Sequence, residues 1–107
     1  MACTNLGDAA REHLLAAAAT VPTRCIAEAF DAWSGANFAD KLSAITARTL
    51  VVATDDPFLP PAFLRQAVVA PIAGARLAVL HGAGHYIANE RTSETAALVE
   101  AFLAGLG

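Results

Sequence analysis

The chain has 107 residues, 56% of them apolar and only 16% charged, with a formal net charge of −3. That length allows one domain, and the seven basic residues are scattered singly, so nucleic-acid binding has no electrostatic footprint. No apolar run reaches the roughly 20 residues of a membrane-spanning helix, and the start of the chain has no basic region ahead of an apolar one, so it does not read as a secretory signal.

Two cysteines, Cys3 and Cys25, do not make a disulfide framework, and a reducing, cytoplasmic setting is expected. A charged share well under the usual 25% or so points to a surface hidden against a partner.

Asp8 to Thr20 reads as a helix, free of Gly and Pro and rich in Ala and Leu, with Asp8 near its start. Pro22 suits the first turn of a second helix running to Trp33. Ile26, Phe30 and Trp33 recur at i, i+4 and i+7, giving that helix one apolar face, which is expected to pack within the core or the helical portion, or in part to touch a substrate. Cys25 lies in the same pattern and is expected to be a small core residue. Gly35 ends the helix, and Asp40 to Ala44 adds one short turn.

The period then changes. Thr49 to Ala53 is a short continuous run, the pattern of a strand covered on both faces in a parallel sheet. Asp55-Asp56-Pro57 and Pro60-Pro61 break it. Pro61 to Val69 reads as a helix, and Arg76 to Leu80 as a second strand. His81-Gly82-Ala83-Gly84-His85 is too glycine-rich to continue that strand or to start a helix. Glu90 to Leu106 reads as a final helix with Leu98, Phe102 and Leu106 on one face, and Thr92 or Ser93 is placed to cap it. The fold class is therefore α/β, a single domain. Residues 1–44 are helical, and residues 45–107 form a parallel strand–helix–strand unit closed by a helix. Two such strands leave open edges, which invite pairing with another chain. Either another polypeptide supplies the missing strands or two copies pair, so a lone monomer is not expected.

Parallel strands deliver their C-terminal loops to one edge of the sheet, the carboxyl edge, where open α/β folds place their sites. Asp56 comes just after the first strand and His85 just after the second. A carboxylate that accepts from one imidazole nitrogen fixes the tautomer and leaves the other nitrogen free to act as a base. Phe58 and Tyr86 flank this pair, either lining a pocket or packing the two loops together. Trp33 is a further pocket candidate if the helical portion reaches the site. His81 and His85 have an H-x-x-x-H spacing, which makes a metal pair only on a helix; Gly82 and Gly84 argue against one. No metal or cofactor is expected. His81 reads as a solvated strand-end residue.

ITARTLVVATDDPFLPP followed by ARLAVLHGAGHYIANERTSETAALVEAFLAGL resembles the last third of the α/β-hydrolase-fold enzymes. These close with a Gly-x-x-Asp-x-apolar-x-Pro turn, a helix, a last strand, a Gly-x-Gly-His loop and a C-terminal helix. The resemblance implies that Asp56 is the triad acid, in preference to Asp55, and that His85 is the general base. It matches Glu90 to the acidic residue that often comes after the histidine, and residues 1–44 to the end of a helical cap. Ala53 stands where the family usually has glycine, and Arg48 and Thr92 where it often has proline. The nucleophile is missing. Ser34, Ser43 and Ser93 have no Gly-x-Ser-x-Gly elbow around them.

The resemblance thus implies a truncated or split hydrolase of ester-like or related small substrates, inactive as this chain alone. A non-catalytic self-associating remnant and a small-ligand binding module are the alternatives.

Overall fold

The computed structural model describes residues 6–106. It is mixed α/β. Helix α1 spans Asp8–Ala19 and α2 spans Thr23–Gly35, with Pro22 at the N-cap position of α2. A 3₁₀ segment comes next at Ala39–Ala44. Strand β1 covers Leu50–Thr54 and β2 covers Arg76–Leu80. Between them α3, Pro61–Leu64, runs directly into a π-helical stretch, Arg65–Val69, whose wider turn is closed by the Ala70 N–H donating to the Arg65 carbonyl at 2.9 Å. Helix α4 is the single turn Ile87–Glu90, and α5 is Thr92–Ala104.

The two strands pair in parallel, with Leu50 opposite Arg76 and Thr54 opposite Leu80. The Gly74 φ of +73° turns the chain into β2, a backbone conformation that glycine adopts without penalty. The register sets the loop geometry: both strands end level, so Asp55-Asp56 and the loop from His81 leave the same edge side by side.

Burial is sparse. Leu6, Ala53, Ile72 and Ala83 are the apolar residues below the surface, and no large side chain among the described residues is fully enclosed. The radius of gyration is 15.9 Å, against about 13 Å for a compact chain of some 100 residues. Most of the excess surface is helical: every residue from Val21 to Asp40 is exposed. The expectation that Ile26, Phe30 and Trp33 pack in a core is therefore corrected, since they are 53%, 60% and 66% exposed. Cys25 is likewise an exposed free thiol rather than a core residue. The physical reason is shared. Helical periodicity gathers apolar side chains on one face, but no other element among the described residues lies over this one. Cys3 lies outside the described residues.

The final helix departs from expectation at its start. Arg91, with φ −137° and ψ 54°, interrupts it and separates α4 from α5. Neither Thr92 nor Ser93 caps α5; the Thr92 hydroxyl instead donates to the Ala88 carbonyl at 2.7 Å. No described helix is long and apolar enough to cross a membrane.

Candidate active site

The turn after β1 is built around Asp56, 5% exposed. Pro57 prevents the strand from continuing, and the carboxylate folds back on its own turn: the Phe58 N–H donates to Asp56 Oδ1 at 3.0 Å. Its other oxygen faces the second loop. His85 Nδ1 lies 2.6 Å from Asp56 Oδ2. An ionised carboxylate only accepts, so Nδ1 carries the proton and Nε2 of the neutral ring keeps its lone pair. The His85 side chain is 43% exposed, whereas its partner is almost wholly covered. The hydrogen bond from His85, and then that from Phe58, hold the Asp56 carboxyl below its ordinary value despite the opposing effect of burial. Asp56 therefore stays anionic well into the acid range.

The His85 loop is pinned from two sides. Gly82 takes a φ of +77°, which sends the chain back toward β1 at little cost only for glycine. The Gly84 carbonyl accepts from the buried Thr54 hydroxyl at 3.0 Å, and the Gly84 N–H donates to Glu90 Oε2 at 2.7 Å. Tyr86 sets its ring edge-on to that of His85, with centroids 5.5 Å apart.

A second acid–histidine pair stands next to the first. His81 Nδ1 donates to Asp55 Oδ1 at 2.9 Å, and Asp55 Oδ2 accepts the Gly82 N–H at 2.7 Å. The Gly82 contact is the larger influence, ahead of His81, in lowering the Asp55 pKa. His81 is thus a partner of Asp55 and not simply a solvated strand end. This pair is open to water, with side-chain exposures of 79% and 49%, so it is the weaker of the two.

A small cavity of about 90 Å³ opens beside the Asp56–His85 pair. Asp56 and His85 contribute to its wall together with Val52, Ala53, Thr54, Leu59, Leu64 and Ile87. Phe58, Tyr86 and Trp33, the pocket candidates from the sequence, are not part of it. Phe58 points to solvent at 77% exposure and Tyr86 at 46%, while Trp33 instead meets Phe30, ring to ring, at 5.8 Å. Besides Val52, Ala53 and Leu64, the apolar lining includes Leu59, three residues beyond the acid, and Ile87, two beyond the histidine. Both had a signal available: each is the next aliphatic residue after a site residue, Leu59 in the turn after β1 and Ile87 at the start of α4.

Among the described residues, no group of three or more His, Cys, Asp and Glu side chains is arranged to hold a metal ion. Comparisons with protein-family models, with curated proteins and with solved structures return no match.

The arrangement has a definite chemical capacity. A buried carboxylate orients an imidazole, its far nitrogen is free to take a proton, and a small, mostly apolar hollow lies alongside. An imidazole held this way can accept a proton from a neighbouring group. No serine among the described residues forms a hydrogen bond with His85. Ser34 donates its hydroxyl to the Asp31 carbonyl within α2, and neither Ser43 nor Ser93 comes directly after a strand.

Proposed function

We propose that this chain supplies the orienting acid and the general base of an α/β-hydrolase-type site whose nucleophile comes from other polypeptide. In this reading His85 Nε2 takes the proton from a nucleophile. Asp56 holds the imidazole in the right tautomer and stabilises the imidazolium that forms. Substrates are esters or related small carbonyl compounds. The single observation carrying the proposal is the 2.6 Å contact between His85 Nδ1 and the buried Asp56 carboxylate, at the shared carboxyl edge of two parallel strands.

Open edges and a thin core support complementation. Both strands have an open edge in a two-stranded sheet, and no large side chain among the described residues is fully enclosed. Added strands would cover such edges.

The decisive experiment begins with the DNA immediately upstream of Met1, which is expected to encode strands and a Ser, Cys or Asp elbow in frame or in an adjacent gene. Joined to that segment, the chain should react with a fluorophosphonate probe if the elbow is a serine. Turnover should fall about 10⁴-fold on Asp56→Asn, the size expected when the acid of such a relay is neutralised. A long upstream coding region without any such elbow overturns the proposal. A second reading, self-association without catalysis, draws on one separate observation, the exposed apolar face of α2.

A further inference from the structure

We infer that Thr54 is a positioning residue of the acid–base pair, its hydroxyl coupling the turn that carries Asp56 to the loop that carries His85. The inference rests on the reading of Asp56 and His85 as orienting acid and base. Its basis is a single buried oxygen. Thr54, 6% exposed, closes β1 and uses its hydroxyl in both directions: it donates to the Gly84 carbonyl at 3.0 Å and accepts the Asp56 N–H at 3.2 Å. One hydroxyl has one proton to give and lone pairs to receive, so both contacts are made at once.

The two partners matter because of where they sit. Gly84 immediately precedes the histidine, and the Asp56 N–H belongs to the acid itself. No backbone ladder bond does this work, since β1 and β2 end at Thr54 and Leu80 and the loops diverge beyond. Asp55 ties the two loops at their start, through His81 and the Gly82 N–H, but without the hydroxyl only the 2.6 Å side-chain contact joins them at the level of Asp56 and His85. With it, the loops are tied below that contact as well. Glu90 then holds the other side of Gly84 through its N–H. Gly84 is thereby held at both its carbonyl and its N–H, so His85 leaves it from a set position.

Valine has nearly the shape of threonine but lacks the hydroxyl, so Thr54→Val removes the coupling with little change in volume. The measurement is the NMR signal of the His85 Nδ1 proton in the full chain, followed together with the titration of the Asp56 carboxyl carbon. In Thr54→Val the proton should exchange with water about tenfold faster, the factor that one lost hydrogen bond of ordinary strength represents, and Asp56 should titrate closer to an ordinary aspartate. Thr54→Ser should restore both. Ile72→Ala, which damages the core near the opposite end of β2, should lower stability and leave both signals in place. That separates positioning from general loosening.

A Thr54→Val chain with an unaltered proton lifetime and Asp56 titration overturns the inference. If that variant does not fold, amide exchange in the unaltered chain decides. The Asp56 N–H must be protected, and exchange as fast as in an open loop overturns the coupling. Failure of the underlying reading looks different. In that case His85→Ala leaves the Asp56 titration where it was, and the role of Thr54 goes with it.

Discussion

Asp56 and His85 are 29 positions apart in the chain, yet their side chains meet at 2.6 Å, the acid covered and the imidazole half open to water. The asymmetry has a thermodynamic consequence. The folded-state pKa of Asp56 lies below its ordinary value, chiefly because His85 donates to it. The carboxylate therefore adds stability that is fully present above the ordinary aspartate value of about 3.9 and is lost as pH falls through the lowered folded value. Asp56→Ala strands the Phe58 N–H and the His85 Nδ1–H, and should cost about 1–3 kcal/mol near neutral pH. Thermal unfolding measured from neutral pH down to strong acid should show the gap between the two chains closing only in the acid limb. A gap of constant size at every pH would refute the assignment of the shift to Asp56.

The neighbouring pair should behave differently. Asp55 and His81 are solvent-exposed, where water screens both charges and competes for their hydrogen bonds. His81→Asn is expected to leave the melting temperature essentially unchanged, while His85→Asn lowers it. Equal losses from the two substitutions would mean that burial does not separate the pairs.

For chemistry by this chain alone, the expectation is negative and specific. A fluorophosphonate phosphonylates an activated serine, and none of the three stands in an elbow, so such a probe should leave Ser34, Ser43 and Ser93 unlabelled under conditions that label a serine hydrolase fully. Intact-mass spectrometry reads this directly, and stoichiometric labelling of any one serine would show that the chain contains its own elbow in a form the sequence pattern conceals.

Much of this geometry was legible in the residues. Arg76 to Leu80 reads as a strand and forms one over those residues, while β1 is displaced by one, ending at Thr54 because that residue still pairs with Leu80. Parallel strands bring Asp56 and His85 to one edge, and the Gly82 turn with the contacts of Gly84 to Thr54 and Glu90 then sets the ring against the acid. The Asp55–His81 pair was less obvious, though it was one step away. Once Thr54 faces Leu80, the next residue of each strand lies beside the other. The break at Arg91 had no periodic signature: periodicity gives a helix running straight from Glu90 to Leu106, whereas Arg91 leaves the helical region beside a Glu90 whose side chain accepts from the Gly84 N–H. Least legible was the fate of α2. Spacing identifies an apolar face but is silent on what covers it.

On that face Ile26, Phe30 and Trp33 present a continuous apolar strip, and soluble monomers seldom leave large apolar patches uncovered. With two open strand edges as well, the chain should associate at micromolar concentration, and light scattering should report a mass above that of one copy. Cys25 sits on the same helix with its thiol exposed, which provides a local reporter. In a Cys3→Ser background, the rate of its reaction with a disulfide reagent should rise on dilution as the assembly comes apart. Phe30→Glu places a charge in the middle of the strip, where burial is costly without a partner. If α2 is the covered surface, this variant should be smaller by light scattering and should react at the dilute rate at every concentration. A mass that stays high in Phe30→Glu, with Cys25 uniformly reactive, would move the association to the strand edges. A cleanly folded monomer of the unaltered chain would remove the expectation of association altogether.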